Sequence, residues 1–151
     1  GAGCSLALAC DLRVASEHAS FIEVFVNVGL VPDSGSTWTL PRLVGIGRAM
    51  EMCLTGKKVD AEEALAIGLV NQVASADEFD DAVSKLAARL ASLPNRALTL
   101  TKHLLNQSFT NDLDEQLVQE AFAQETAGRT HDHFEGVVSF IEKRKPNFTH
   151  E

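Results

Sequence analysis

The opening of the chain is the stretch that most constrains its fold. Gly1 and Gly3 lead directly into a run of small and apolar residues that ends at Asp11. Glycine allows a sharp backbone turn, and a helix that follows such a turn presents its first N–H groups and the positive end of its dipole. Because residues 6–10 are too apolar for a surface helix, we expect a buried helix whose N-terminus can face an oxyanion or a phosphate.

Two other glycine motifs do not fit this opening. A dinucleotide-binding turn needs a third glycine, but Leu6 stands at that position. A nucleophile elbow needs a serine between its glycines, and Ala2 stands there instead. The opening therefore predicts neither a dinucleotide-binding turn nor a serine nucleophile.

Composition narrows the class of protein further. The 151 residues are 45% hydrophobic and carry 13 basic against 21 acidic residues, which gives a net charge of -8. That charge argues against a nucleic-acid partner, which requires a basic face. The three cysteines lack C-x-x-C spacing, so they predict neither disulfides nor a zinc site, and they fit a reduced compartment. With no membrane-length apolar run and no basic leader, we expect a soluble, cytoplasmic protein without a membrane anchor.

The hydrophobic pattern divides the chain near its middle. In the first half, alternating segments at 11–16 and 69–73 predict strands between short helices, one of which Pro41 is expected to kink or break. In the second half, apolar residues recur at helical spacing only. The sequence therefore predicts an α/β region over residues 1–93 and a helical region over residues 94–151, whose apolar stripes need a partner to bury them.

Long motifs along the whole chain resemble those of the crotonase family, the enoyl-CoA hydratases and isomerases. The resemblance implies an α/β fold with a crotonase-like spiral core of ββα units, of which this chain is the C-terminal half, because family members are much longer. It also implies that the helical region builds a homotrimer, two of which often stack into a hexamer. The motifs lie at residues 1–16, 21–23, 29–45, 54–56, 61–64, 68–70 and 140–146.

The same resemblance implies a chemistry. A thioester whose α-carbon loses a proton becomes an enolate, which fixed N–H donors stabilise while a nearby base handles the proton. In the family, the position of one donor matches Ala2, at the start of the helix that Gly3 opens. Coenzyme A is then part of the acyl-CoA substrate, so neither a separate cofactor nor a metal is expected.

The candidate base is Asp33. The two glutamates that hydratases of the family carry fall on Ser5 and Phe25, and neither side chain can take a proton from water at neutral pH. Isomerase branches place one carboxylate a few residues later, between a proline and a glycine, and Asp33 matches that position. Locally, Pro-Asp-Ser-Gly is also typical of an ordinary turn or a helix cap. Glu23 is the rival acid, for which we expect a surface or pairing role at a strand end.

Gly3, beside the Ala2 donor, is a candidate for substrate contact, and four further positions join it. Phe25 and Trp38 suit an aromatic acyl group, and the resemblance is closest to the branch that isomerises ring epoxides of phenylacetyl-CoA. Phe140 and Lys143 match positions that contact coenzyme A in the family, often across a subunit boundary. Core packing explains the first two positions equally well, and a basic helix end explains Lys143.

Three functions remain open on the sequence. The first is an acyl-CoA isomerase that shifts a double bond or opens a ring epoxide, as in phenylacetate degradation, with Asp33 as the base. The second is an enoyl-CoA hydratase that recruits an acid from elsewhere. The third is an inactive module that only binds coenzyme A or oligomerises.

Overall fold

The computed structural model describes residues 1–150, and their mixture of helices and strands confirms the predicted α/β class. None of the helices in this range has the length and hydropathy that a membrane span requires. The helices are α1 Ala2–Leu8, α2 Ser36–Val44, α3 Ile46–Thr55, α4 Ala61–Ala66, α5 Phe79–Ala91, α6 Asn95–Gln107, α7 Leu113–Gly128 and α8 His131–Glu142. The strands are β1 Val14–Ser16, β2 Ser20–Ile22, β3 Lys58–Asp60 and β4 Gln72–Ala74, and two 3-10 helices span Val24–Val28 and Ala76–Glu78.

The chain separates into two compact units, and the boundary lies inside α5. The first unit is Gly1–Lys85 and contains all four strands, while the second begins at Leu86 and is helical. The domain boundary predicted between residues 93 and 94 lies just after α5. The assignment of one domain to each side of it remains a prediction.

Two short strand pairs organise the first unit. β1 pairs in parallel with β4, and β2 pairs antiparallel with β3. Arg13 reinforces the parallel pair at its start, because its backbone N–H donates to Asn71 Oδ1 at 2.8 Å and its Nε donates to the Leu69 carbonyl at 2.6 Å. The bond from Nε, together with one from Nη1 to the Cys10 carbonyl, gives the buried guanidinium the partners that a buried charge requires.

The hydrophobic core of the first unit draws on four helices and both strand pairs. Leu40 of α2 and Met52 of α3 are its largest fully buried side chains together with Leu69. Burial of each such side chain contributes roughly 2 kcal/mol relative to exposure. The other core residues are Leu8, Ala15, Val44, Ala49, Val59, Ala64 and Val70.

The opening helix is less buried than its sequence predicts. Leu8 is buried, but Leu6 is 70% exposed and Cys10 lies beyond the helix end at the surface. The reason is that α1 packs through one side only, the side that carries Ser5 and Leu8. A helix that is apolar all round requires cover on every side, so the prediction of a fully buried helix is wrong for this chain.

Helix α2 continues through Pro41 without the break that the sequence predicts. The proline ring removes one N–H donor and opposes helix continuation. The helix nevertheless runs on to Val44, and the Gly45 N–H closes its end by donating to the Pro41 carbonyl at 3.0 Å. The Leu40 and Val44 side chains anchor the helix in the core, so tertiary packing outweighs the local preference.

Side-chain caps fix the starts of three helices. The Asp60 side chain accepts a bond from the Glu63 N–H at 2.8 Å and thereby caps α4. Asp112 and Glu115 form a reciprocal capping box at the start of α7. Thr130 caps α8, because its hydroxyl oxygen accepts a bond from the His133 N–H at 3.1 Å. Local hydrogen bonds of this kind are encoded by residues three apart, which is why the sequence reveals them.

The apolar side chains of the second unit are at most half-buried. Within the described part of the chain, no apolar residue after Ala74 is buried, and the buried residues of the second unit are Asp132 and Ser139. Its helices α6, α7 and α8 therefore expose their apolar stripes. The exposed large apolar side chains here are Leu90, Leu105, Phe109, Leu113, Leu117, Val118, Phe122, Phe134, Val137, Phe140 and Ile141.

The segment after α8 folds back onto that helix. The buried Asp132 carboxylate accepts bonds from the Thr149 N–H at 2.7 Å and the His150 N–H at 3.1 Å. Arg144 donates two bonds to the Glu135 carboxylate, at 2.6 and 2.8 Å, and this pairing lowers the pKa of Glu135 to about 2. Two acidic residues of α8 thus hold the end of the described chain in place.

Leu40 provides a test of the core. Replacing this fully buried side chain by alanine (Leu40→Ala) leaves a cavity beneath α2, and we expect the free energy of unfolding to fall by about 3 kcal/mol. Leu65→Ala is the matched control and should cost much less, because Leu65 is 45% exposed in α4. Urea titration followed by circular dichroism measures both changes, and equal losses at the two positions would contradict this account of the core.

Candidate functional site

The start of α1 presents unpaired backbone donors. Gly1 is the N-cap, and the first intrahelical bond runs from the Ser5 N–H to the Gly1 carbonyl at 3.1 Å. The N–H groups of Ala2, Gly3 and Cys4 precede that bond, so the helix itself leaves them without acceptors. Ala2 and Gly3 are exposed, and a Cβ added to Gly3 meets nothing within 4 Å. The predicted donor at Ala2 and the glycine beside it therefore border open space.

The 3-10 helix Val24–Val28 packs against this helix start. A Cβ added to Gly1 would lie 3.3 Å from Val24 Cγ1, so glycine permits a close approach there. Phe25 follows Val24 and is 9% exposed. Little of its side chain is therefore accessible for the substrate contact predicted from the sequence. Ser5 is fully buried. Neither position at which hydratases of the family carry a glutamate thus offers an ionisable group.

Asp33 lies in the loop between that 3-10 helix and α2, and it is exposed. Its Oδ1 accepts a bond from Ser34 Oγ at 3.0 Å, and its carbonyl accepts one from the Ser36 N–H at 3.0 Å. Ser34 and Gly35 are left-handed, with φ of 53° and 82°. The N-cap of α2 is Gly35, and no side chain caps that helix. The backbone of Asp33 therefore makes the predicted turn, while its carboxylate does not cap α2.

Trp38 is 53% exposed on α2, and Arg42 covers part of its ring. The Arg42 guanidinium carbon lies 3.8 Å from the ring centroid, and Nη1 donates to the Trp38 carbonyl at 2.9 Å. This cation–π contact fixes a positive charge beside the exposed aromatic surface. The family motif indicates Trp38 alone, although the spacing of four residues on a helix could have revealed Arg42 as its partner.

Glu23 contradicts the role predicted for it. We expected a surface or pairing position, but Glu23 is 0% exposed, and within residues 1–150 neither carboxylate oxygen has a hydrogen-bond partner. Glu23 lies between β2, which ends at Ile22, and the 3-10 helix Val24–Val28, and its side chain is enclosed near Cys4 and Cys53. Its burial is therefore a tertiary effect, which the period of a strand does not reveal.

The surroundings of Glu23 connect α1 with the Asp33 loop. Burial raises the pKa of Glu23, the Cys4 thiol lowers it in part, and the negative charge of Asp33 raises it further. Burial and the neighbouring Glu23 together raise the pKa of Cys4 to about 11. Burial also raises the pKa of Cys53, on α3, and Glu23 adds to that rise. A thiol with so high a pKa stays protonated at neutral pH, so Cys4 is not a nucleophile.

Phe140 and Lys143 lie at the end of α8 in the second unit. Phe140 is 84% exposed. The helix ends at Glu142, and Lys143 is the left-handed cap residue with φ 55°, its N–H donating to the Phe140 carbonyl at 3.3 Å. Lys143 therefore lies one residue beyond the helix, and a backbone hydrogen bond joins it to Phe140.

A groove of ≈ 520 Å³ adjoins Phe140 in the same unit. Its polar lining includes Asp132, which is committed to the folded-back end of the chain, and His133. Within residues 1–150, no group of three His, Cys, Asp or Glu side chains is arranged to hold a metal ion. The apolar lining consists of Pro94, Ala97, Ala127, Val137, Phe140 and Phe148.

Comparison with known proteins identifies relatives along the whole chain. The sequence profile of the family described as enoyl-CoA hydratase/isomerase matches residues 1–151. The 1,2-epoxyphenylacetyl-CoA isomerase of Escherichia coli (strain K12) is 43% identical over 149 residues, which are 99% of this chain and 57% of that protein. The crotonyl-CoA hydratase of Syntrophomonas wolfei is 40% identical over 148 residues, which are 98% of this chain and 57% of that protein.

Solved structures give the same result for the fold. The crystal structure of enoyl-CoA hydratase from Bacillus anthracis superimposes with a TM-score of 0.95 at 36% identity, covering 100% of this chain and 58% of that one. The chain thus spans less than three fifths of the length of these relatives.

Glu23→Gln tests the buried carboxyl. Because the folded-state pKa of Glu23 lies above its ordinary value of 4.5, unfolding releases a proton at every pH between the two values. The free energy of unfolding therefore contains a contribution that falls, by up to about 1.4 kcal/mol per pH unit, as the pH rises through this window. Glu23→Gln removes that contribution, so the variant should gain stability over the wild type as the pH rises above about 4.5.

Urea titrations at a series of pH values measure this difference. Glu62→Gln is the matched control, because it removes the same charge from an exposed position on α4 and should keep the wild-type slope. Parallel stability curves for the wild type and Glu23→Gln would show that Glu23 is ionised in the folded chain.

Proposed function

Because the chain belongs to the enoyl-CoA hydratase/isomerase family, also called the crotonase family, we propose that it forms part of an acyl-CoA isomerase. The reaction would shift a double bond or open a ring epoxide in a CoA thioester. The observation that carries this proposal is the exposed carboxylate of Asp33, combined with the absence of any acid at Ser5 and Phe25. The name of the Escherichia coli relative supports the same branch and a place in phenylacetate degradation.

The chemistry requires one base and one oxyanion site. Asp33 takes a proton from a carbon of the acyl chain, so that a C–H bond breaks, an O–H bond forms on Asp33, and the electron pair moves to the thioester oxygen. The N–H of Ala2 donates to that oxygen, and one such donor is typically worth on the order of 3 kcal/mol. Asp33 then returns the proton to a different carbon, and the double bond has moved with no net gain or loss of atoms.

Substrate contacts follow from the exposed aromatic residues. The Trp38–Arg42 pair offers an aromatic surface and a positive charge, and it lies near Asp33 in the sequence. Phe25 can contribute only the small exposed part of its ring. Phe140 and Lys143 are proposed to contact coenzyme A, which enters as part of the substrate rather than as a cofactor. The free thiols of Cys4, Cys10 and Cys53 support the cytoplasmic location.

A hydratase is the second candidate, because a relative at 40% identity is named crotonyl-CoA hydratase. Hydration requires an acid that can activate water. Glu23 is the rival acid predicted from the sequence, but both of its oxygens are sealed from solvent. The hydratase alternative therefore needs an acid recruited from elsewhere than Ser5, Glu23 and Phe25, which makes it the weaker of the two.

The length of the relatives bears on activity. This chain covers 57% of the Escherichia coli isomerase. We propose that a second oxyanion donor and part of the nucleotide pocket belong to the portion that this chain does not match, and that the 151 residues alone turn over acyl-CoA negligibly. In that state the chain retains the third candidate role, which is oligomerisation or CoA binding without catalysis.

The assembly is proposed to be a homotrimer or a hexamer formed by the second unit. The chain should run as a trimer or larger species in light scattering at micromolar concentration, because its helices otherwise leave many large apolar side chains in water. Phe122→Asp, which places a charge on the exposed face of α7, should reduce the mass, while Glu120→Asp on the same helix should not. A monodisperse monomer would rule out the assembly.

Asp33→Asn tests the proposed base. In a chimera that adds the N-terminal portion of the Escherichia coli relative, the variant should lower kcat for a 3-enoyl-CoA at least about a hundredfold, because amide nitrogen and oxygen cannot accept the proton. Binding of the CoA thioester should remain, as measured by calorimetry. Asp80→Asn, the same change at an exposed position of α5, is the control and should leave kcat unchanged. Near-normal turnover by Asp33→Asn would exclude the role of Asp33.

A further inference from the structure

The outward face of α2 carries the stacked side chains of Trp38 and Arg42. Leu40 and Val44, on the opposite side of the helix, anchor it in the core of the first unit. Trp38 and Arg42 are four residues apart, so they share one face, and both are exposed. The stack therefore stands on a helix that is itself held in place.

Two different contacts join Arg42 to Trp38. The guanidinium carbon lies 3.8 Å from the centroid of the indole ring, and Nη1 donates to the Trp38 carbonyl at 2.9 Å. The hydrogen bond holds the guanidinium against the backbone, and the cation–π contact holds the ring against the guanidinium. A tryptophan side chain turns about only two bonds, so such an arrangement restricts the orientation of the ring.

The backbone around Trp38 continues into the turn that contains Asp33. The Trp38 N–H donates to the Gly35 carbonyl at 3.0 Å, and the Ser36 N–H donates to the Asp33 carbonyl at 3.0 Å. Ser36 is completely buried, which anchors the first turn of α2. The indole is thus attached to a fixed turn, and Arg42 acts on the freedom that its side chain retains.

We propose that Arg42 is a positioning residue that clamps Trp38 and thereby sets a preference for aromatic over linear acyl groups. This role rests on the proposed function, in which Trp38 contacts the acyl group. An aromatic ring that is already held in one orientation loses little freedom when it binds another ring. The gain cannot exceed the energy of the clamp, which for an exposed cation–π contact corresponds to a roughly two- to fivefold change in binding.

A general effect of positive charge is the main alternative. Arg42 lies in the last turn of α2, where any cation is favourable beside the helix dipole. A cation there also attracts an anionic thioester through charge alone. Both effects treat all acyl-CoA esters alike and do not act through the indole. The clamp instead depends on the planar guanidinium, which lysine does not have.

Fluorescence of the 151-residue chain tests the clamp directly, because Trp38 is its single tryptophan. Arg42→Gln should increase quenching by acrylamide and lower the time-resolved anisotropy, since the ring loses both its cover and its restraint. Arg42→Lys should restore only part of each change. Arg96→Gln removes the same charge from an exposed position of α6 and should leave both signals unchanged. Circular dichroism verifies that each variant is folded.

Selectivity is measured in the chimera that carries the N-terminal portion of the Escherichia coli relative, with two 3-enoyl-CoA esters, one of which ends in a phenyl ring. The ratio of kcat/KM for the phenyl ester to that for the linear ester should fall roughly two- to fivefold in Arg42→Gln. This ratio cancels any effect of the charge on coenzyme A. In Trp38→Leu the ratio should already be low, and adding Arg42→Gln should not lower it further, because Arg42 acts through the indole.

Each other result overturns the clamp. Unchanged fluorescence in Arg42→Gln, or full rescue by Arg42→Lys, would show that the planar guanidinium does not restrain the ring. A constant ratio in Arg42→Gln, or a further fall when this change is added to Trp38→Leu, would show that Arg42 does not set selectivity through Trp38. The fluorescence needs no turnover, so an active Asp33→Asn chimera would reject the isomerase base and leave the clamp in place.

Discussion

The burial of one unpaired carboxyl is the constraint on which the first unit depends. Leaving a neutral polar group buried without a partner costs roughly 1–3 kcal/mol, and the folded chain accepts this cost at Glu23. Leu40, Met52 and Leu69 are fully buried apolar side chains of the same unit. Burial of each stabilises the fold by roughly 2 kcal/mol. Burial of the apolar core can therefore offset the cost of leaving the Glu23 carboxyl unpaired. The side chain remains enclosed near Cys4 of α1 and Cys53 of α3.

The second unit is stabilised differently. It has capped helices, including the complete capping box of Asp112 and Glu115, but no buried apolar side chain within the described residues. Caps and helix propensity rarely hold helices together without a shared apolar core. The exposed apolar side chains of this unit, Phe122 and Phe140 among them, thus need a partner surface, and this requirement explains why assembly is part of the proposed function.

Local interactions were predictable from the sequence, and tertiary ones were not. The caps at Asp60 and Asp112 follow from residue types three positions apart, and the family resemblance follows from motifs that span the chain. The exposure of Leu6 depends on which side of α1 finds a neighbour, and the continuity of α2 through Pro41 depends on Leu40 being anchored in the core. Such outcomes are decided by the surroundings of a residue, which no local pattern contains.

The Asp33 turn shows how these levels combine. Ser34 adopts a left-handed conformation that costs a non-glycine residue on the order of 1 kcal/mol. Anchors on both sides maintain it: the Leu30 N–H donates to the Phe25 carbonyl at 3.0 Å, and the Ser36 N–H donates to the Asp33 carbonyl at 3.0 Å. An undistorted turn could have used the carboxylate as the cap of α2. In the strained turn, Gly35 is the N-cap of α2 and the backbone carbonyl of Asp33 completes the turn. The carboxylate of Asp33 therefore does not cap the helix and is available for the proposed reaction.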